Sequence, residues 1–541
     1  MSDSDRLRRG FMSLVGGSMA TALAGCTSDE SPNGENDENG EREVVWVQNE
    51  VARTADPHKV TDLQTQVVTI NRYDALLYLT EDGTVTDHLA TDWESEEEGR
   101  VWTFTLRDDV EFHSGNELTA DDVAYSMERA LAIAEGDSDQ WRDVLDPEGI
   151  DVVDDYTIRF ELDQPFGPFL QTLIRLTIVD SDLVRENETD GDHGEYGDFG
   201  QEFLDEETAG SGPYTLAESG EDEIIFERFD GYWRGWEENQ FDRARMVRVP
   251  EESTVRLMME RGEADITTAT LTPEAFEEMG EYDNVEIVTA DRLDLFYIPF
   301  NTEKPPLDDR NVREAFAYSI DYATINDLIR PEDPIASGPV PQAMPGHNGD
   351  LDPYEQDLDR AQEALDRSDY TVEEINDIGI EHVFIASVPY MENIGLVFSE
   401  GLNELGIDVE LNGQEWPTIT ERAVDPETAP HTQQLYVFAA YPSPDVYTSG
   451  MFHPSAFGTL NGVSHYTTDE IESVLDEART TSNTEERREL YNVAQELIWE
   501  GYPAAFVANP DLQIAKNTSL GGYQHKGVTG YDYYWWDMHH E

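Results

Sequence analysis

Hydrophobic and polar positions along this chain follow two periods that trade places from segment to segment. In YTIRFEL (156–162), Tyr156, Ile158, Phe160 and Leu162 share one face at period two, and WTFTLRDDV (102–110) repeats the alternation; both read as half-buried strands. Between them, TADDVAYSMERALAIAEG sets Val123, Met127, Ala130, Leu131 and Ala134 at helical spacing behind Thr119, an N-cap followed by acids in the first turn. The second half repeats the mixture. NVREAFAYSID (311–321), DRAQEALDRS (359–368) and MENIGLVFSEGLNEL (391–405) predict helices, and Gly406 stops the last one directly before the strand IDVEL. That helix-glycine-strand return belongs to α/β layers. TTDEIESVLDEAR and TEERRELYNVAQELIW predict two more helices, the second with Leu490, Val493, Leu497 and Ile498 on one stripe. No segment repeats, which argues against solenoids and propellers.

Three uncharged runs stand apart: LFYIPF (295–300), LYVFAA (435–440) and AAFVA (504–508). Apolar runs of this length predict strands buried on both faces. The first and third are expected to cross between two lobes, and the second to lie deep in the later lobe. A chain of 541 residues exceeds what one core supports, so at least two lobes are expected.

Composition adds a constraint on partners. The chain folds on 38% hydrophobic residues yet carries a net charge of −83, from 117 acidic against 34 basic residues. Lysine occurs only at 59, 304, 516 and 526. Such a surface repels phosphate backbones and anionic lipid, so nucleic acid is excluded as a partner. In multimolar salt the screening length drops to about 3 Å or less, which mutes carboxylate repulsion. A halophilic protein that loses structure on desalting is expected.

The first 26 residues read as a processing segment. Arg8 and Arg9 open a twin-arginine-type export signal, the stretch to Gly25 is too short and too rich in small residues to span a membrane, and Leu23-Ala24-Gly25-Cys26 resembles a lipoprotein processing box. Cys26 is the only cysteine, which excludes an internal disulfide and leaves lipidation as its role. Residues 27–43 form an acidic flexible linker with nothing to pack. The expected location is the cell surface, lipid-anchored to the outer face of the cytoplasmic membrane.

Candidate chemistry is sparse. Gly210-Ser211-Gly212-Pro213-Tyr214 lacks the remaining glycine and the Lys-Ser/Thr of a phosphate loop and reads as a tight turn. DGDHGEYGD (190–198) is dense in oxygen but breaks the EF-hand pattern, and reads as a solvated insertion. No metal site and no cofactor are expected. Sequons stand at Asn187 and Asn517. A facing pair of catalytic carboxylates, as in a surface-anchored hydrolase, stays open as an alternative, because so many acids make spacing uninformative. An adhesin would require repeats or a β-rich chain.

HLATDWESEEEGRVWTFTLRDDVEFHSGNELTADDVAYSMERAL (88–131) resembles the signature of the large family 5 solute-binding proteins of peptide- and nickel-type ABC importers, haloarchaeal in composition. The likeness continues through GSGPYTL (210–216), RFDGYWRG (228–235), RGEADI (261–266) and FNTEKPPLDDRNVREAFAYSIDYATI (300–325), and ends in DEARTTSNTEERRELYNVAQELIWEGYPAAFVANP. It implies an α/β, two-lobed periplasmic-binding-protein-like fold of type II, in the large three-domain form with mixed sheets and an interlobe hinge. The expected division is an N-terminal lobe over 44–296 with an inserted subdomain at about 86–200, a C-terminal lobe over 297–504, and a return over 505–541. Function follows: a non-enzymatic, monomeric component that captures a peptide or similar small solute between its lobes and delivers it to a membrane permease, with an oligosaccharide or another non-peptide ligand as the alternative.

In peptide-binding relatives the second apolar run ends in an aspartate that grips the ligand's α-ammonium group. Here VFAAYPSPDVY (437–447) sets Ala440 at that position and Ser443 where the relatives carry a second acid. An alanine cannot neutralise a buried ammonium, whose isolation costs several kcal/mol. Asp445 is the candidate substitute if the loop folds back. Trp416, Phe438, Tyr441 and Tyr447 are candidate walls, with Asn509 at the returning crossover and Asp56 and His58 in the loop after the first strand. Trp93, Trp102, Phe112 and Trp233 are expected to be structural.

Overall fold

The structure is a computed structural model that describes residues 42–541 apart from 53, 81–82, 329–332, 426 and 529–532. The export segment, Cys26 and most of the linker lie outside the described residues.

A mixed seven-stranded sheet is built around Glu43–Gln48, in the order Val285–Ala290, Leu512–Asn517, Ile266–Thr267, Glu43–Gln48, Arg243–Arg248, Glu223–Arg228, Tyr214–Ser219. Glu43–Gln48 runs parallel to both its neighbours, and the remaining pairs are antiparallel. Trp46 and Trp535 are fully buried in the core on one face of this sheet. A second, antiparallel sheet orders Ala90–Glu96, Val101–Leu106, Thr157–Glu161, Ile150–Asp154. Ile158, Phe160 and Leu162 line its buried face as the period-two pattern predicts. The helix Ala120–Ile133 packs against it, started by a reciprocal capping box between Thr119 and Asp122. Ala134 is not a further core position: it ends this helix in the left-handed conformation, φ 49°.

The three uncharged runs come together. Leu295–Pro299 lies between Leu435–Val437 and Ala504–Ala508 in one antiparallel sheet, with the central strand and Ala504–Ala508 buried at every position. A parallel sheet of Val409–Gln414, Ile380–Ile385 and Thr432–Gln433 completes this half, with the helix Pro389–Glu404 against it. Gly406, at φ 81°, makes the return between helix and strand. The chain passes from the large sheet into the three-stranded one through residues 291–294 and comes back through 509–511. Asn509 Nδ2 donates to the Asp294 carbonyl across the two crossings at 3.2 Å.

The last long helix, Thr484–Gly501, turns a different stripe inward from the one its leucines predict. Tyr491, Ala494, Gln495 and Ile498 are buried, whereas Val493 is 43% exposed. Gln495 holds a core position because both ends of its amide are satisfied there, by the Gly346 carbonyl and the Asn348 N–H. Gly210 and Gly212 form a turn pressed on the helix Leu63–Arg72: a Cβ at Gly212 would sit 2.5 Å from the Arg72 carbonyl carbon. Ser211 donates to Asp74, so this turn serves packing.

Candidate ligand cleft

The strand Leu435–Val437 ends beside the first crossing, and the residues after it form a small aromatic platform. Tyr436 packs on Phe296 with ring centroids 4.8 Å apart, and its hydroxyl meets that of Tyr390 at 2.7 Å. Phe438 stacks nearly parallel on Tyr436 at 5.9 Å and remains 42% exposed, with the Arg292 guanidinium 5.7 Å from its centroid. Arg292 in turn is paired with the buried Asp294 at 2.8 Å. Ala440 is half-buried, and its carbonyl accepts from Arg175 Nε at 2.8 Å. A backbone carbonyl and a methyl group therefore occupy the place where a carboxylate was sought.

Asp445 does not take that place. Ser443 caps the short 3-10 turn Pro444–Tyr447, which folds Asp445 inward instead of toward Ala440's surface. Its two oxygens accept from Tyr441 Oη at 3.0 Å and Tyr491 Oη at 2.9 Å, and Arg479 lies 3.6 Å away. Burial first, and then the Asp445 carboxylate, pushes both phenols well above their ordinary range, so they remain donors. Tyr447 is also buried and donates to the Leu293 carbonyl, tying the loop to the crossing.

Asp56 and His58 are buried inside the other half. The Arg129 guanidinium grips Asp56 with both ends, at 2.6 and 2.8 Å. Arg129 Nη1 also donates to His58 Nδ1 at 3.0 Å, which sets the tautomer: Nε2 carries the proton and donates to the Thr177 carbonyl at 3.0 Å. Burial would raise the Asp56 carboxyl, but Arg129 outweighs it and holds the group below its usual range. Burial, then the Arg129 charge, draws His58 down to about 4, so it is neutral near pH 7. His58 thus holds the Thr177 carbonyl, two residues from the Arg175 that reaches Ala440, and Asp56 holds His58's partner Arg129.

Of the residues expected to face a ligand, Phe438 is exposed and Ala440 half-buried. Tyr441, Asp445, Tyr447 and Asn509 are buried as supporting residues, with Asn509 Oδ1 accepting from Gln342 N at 3.2 Å. Trp416 starts the helix Trp416–Ala423 and packs half-buried against the main core. Arg175, Arg292 and Tyr436 were missed by sequence reasoning, although a signal exists for the first. It is the only charge inside the apolar stretch Leu173–Val179. Behind Tyr436 the packing leaves only about 10 Å³ between Phe296, Tyr322, Ile394 and Val507, room for one water at most. A wider groove, about 920 Å³, runs elsewhere, between Tyr78, His88, Trp233, Arg234 and Lys526, and holds none of the expected ligand residues.

Two α/β halves joined by the chain crossings at 291–294 and 509–511, with an aromatic platform beside them, define a two-lobed capture protein. The runs 295–300 and 504–508, expected to make the crossings, lie instead within the three-stranded sheet just past them. The family described as "Bacterial extracellular solute-binding proteins, family 5 Middle" matches residues 84–459, and the chain belongs to that family of solute-binding proteins. Among curated relatives, the probable D,D-dipeptide-binding periplasmic protein of Escherichia coli is 26% identical over 87% of this chain and 89% of its own length. Heme-binding protein A of Haemophilus influenzae is 27% identical over 78% of each chain. Among solved structures, the ABC transporter-associated periplasmic binding protein of Helicobacter pylori, in complex with the peptide STSA, superposes with a TM-score of 0.81 at 26% identity, over 93% of this chain and 99% of its own. Among the described residues no helix is long and apolar enough to cross a membrane.

Proposed function

We propose that this protein is the non-catalytic, extracytoplasmic binding component of an ABC importer, and that it captures a peptide-like solute without an ionic grip on a free amino end. Relatives named as dipeptide-binding proteins, and one solved in complex with the peptide STSA, support a peptide-like ligand, and the likeness extends over 83–99% of their lengths. The observation that carries the second half is the state of residues 440 and 445: one is an alanine whose carbonyl is occupied by Arg175, and the other is a carboxylate held by two phenols and an arginine. Affinity then comes from lobe closure over the platform at Phe438, since a closed state is populated only by a ligand that touches both lobes. The anchor at Cys26 and the twin-arginine signal place the folded body at the outer membrane surface, and the charge of −83 suits it to strong salt.

The test is tryptophan fluorescence in multimolar salt, titrated with short peptides, their N-acetylated forms and oligosaccharides. Saturable quenching by peptides is expected, with acetylation changing Kd by less than about tenfold, equivalent to about 1.4 kcal/mol. A hundredfold loss on acetylation would return the ammonium grip to the site, and product formation would sink the transport reading. The open, parallel Phe438–Tyr436 pair is also what a sugar ring stacks on, so saturation by oligosaccharides alone would assign the platform to that second class.

A further inference from the structure

The chain has 117 acidic residues against 34 basic ones, yet three cations, Arg107, Arg234 and Lys526, line the single groove of about 920 Å³. Its walls come from residues 78–107, 233–234 and 524–537, so none belongs to the platform at Phe438 or to the three-stranded sheet beside it. Two of the cations have carboxylate partners. Arg107 is paired with Asp109 at 2.8 Å, and Lys526 with Asp537 at 3.1 Å. Arg234 makes no ion pair and no hydrogen bond among the described residues, and its Nη1 is buried without a partner.

The unpaired guanidinium is held in place from behind. Tyr232-Trp233-Arg234-Gly235 is a tight turn, closed by the Gly235 N–H on the Tyr232 carbonyl at 2.8 Å, with Gly235 left-handed at φ 73°. Tyr232 Oη and Trp233 Nε1 both donate to the buried Asp74, each at 3.1 Å, and the Gly235 carbonyl accepts from Trp536 Nε1 at 3.0 Å. The turn is thereby fixed at both ends. Arg234 lies over the Trp536 ring, its guanidinium carbon 3.7 Å from the ring centroid. Stacking of this kind takes up the face of a guanidinium and leaves the N–H edge for an anion. A buried donor with no partner is costly, and this one stays clear of every carboxylate in a chain rich in them.

We propose that this groove is a second ligand site, separate from the capture cleft, and that it takes a small monocarboxylate with a flat apolar body. The carboxylate pairs with the N–H edge of Arg234, while Tyr78, Val85 and Trp233 supply apolar wall for the body. With Arg107 and Lys526 already neutralised, one positive charge is on offer. Asp87 and Asp537 stand in the same walls and repel a second negative charge, which favours a monoanion over a phosphate dianion. The volume falls within the range of about 300–1,000 Å³ usual for small-molecule sites. Because every wall belongs to one half of the molecule, occupancy here needs no closure of the two halves.

The full chain in multimolar sodium chloride is titrated by calorimetry with sodium benzoate, and in parallel with benzamide, its neutral isostere, and inorganic phosphate. One equivalent of benzoate is expected, with benzamide and phosphate each at least about tenfold weaker. Arg234→Met should weaken benzoate by at least about tenfold at an unchanged Tm, and Arg234→Lys, which keeps the charge without the fork, should fall between it and the wild type. A crystal soaked in 4-bromobenzoate should show the bromine in the groove, a readout that needs no variant. Equal binding of benzamide would mean that no charge is read, and equal binding of phosphate that a monoanion is not selected; either overturns the proposal. So would the absence of saturable binding, full affinity in Arg234→Met, or bromine at Phe438 instead of in the groove, the last assigning benzoate to the capture cleft.

Discussion

Asp56 and Asp445 are both buried carboxylates in loops, one in each half, and they are held by opposite means. Asp56 is paired end to end with Arg129, both side chains fully excluded from solvent. Asp445 is held by two tyrosine hydroxyls, with its arginine at a looser 3.6 Å. The first arrangement fixes a backbone segment, since a buried ion pair tolerates no displacement of either partner. The second is a pair of neutral donors beside the exposed Phe438, where small shifts cost one hydrogen bond at a time. The contrast separates a strut from an adjustable support.

Breaking the strut carries the largest expected effect. Arg129→Met strips the buried Asp56 of its two-point partner, leaving Lys59 4.0 Å away, and should cost about 3–5 kcal/mol in denaturant unfolding at constant high salt. A cost below about 1 kcal/mol would mean that the pair is not held as described. Acid probes the same region. His58 titrates at about 4 in the fold against 6.5 unfolded, so between those values the unfolded chain takes up a proton that the folded chain refuses. Its contribution is intact above pH 6.5 and falls as pH drops toward 4, by about 3 kcal/mol at about 1.4 kcal/mol per pH unit. His113, at about 4, and His382, at about 3, add the same sign. Comparing wild type with His58→Gln at pH 7 and pH 5 isolates the strut's share: the variant should lose less stability on acidification.

The adjustable support should give smaller numbers. Asp445→Asn retains the shape but cannot accept two phenols and face Arg479 as an anion, and should cost about 1–3 kcal/mol. Tyr491→Phe should cost about 1 kcal/mol and leave the strut's acid response unchanged. The smallest stability effect belongs to Phe438→Ala, within about 0.5 kcal/mol because the ring is exposed, while ligand affinity falls about tenfold or more. If Phe438→Ala left affinity untouched, the platform would not be the binding surface.

Much of this architecture is legible from the sequence, and the reasons are local. The Thr119 capping box, the alternation in 156–162 and the stop at Gly406 each depend on neighbours in sequence, and each is found where expected. The stripe on Thr484–Gly501 is not. Leucine spacing points to one face, but Gln495 and Tyr491 are drawn inward by Gly346, Asn348 and Asp445, partners far along the chain. The candidate site divides in the same way. Phe438 and Ala440 are visible as an uncharged run in an acidic chain, whereas the roles of Asp56, His58 and Asp445 depend on Arg129, Thr177 and Tyr491, which no spacing rule associates with them.

The sequence by itself determined the class of protein: an α/β solute-binding chain with a strongly acidic composition and an uncharged run at 437–440. Periodicity, caps and charge balance are properties of short segments and need no tertiary partner. Only the tertiary structure decided which acids are buried as supports and which aromatic ring stays exposed beside them. Burial of a carboxylate is settled by whatever cation or hydroxyl packs against it, and those partners arrive from helices distant in the chain.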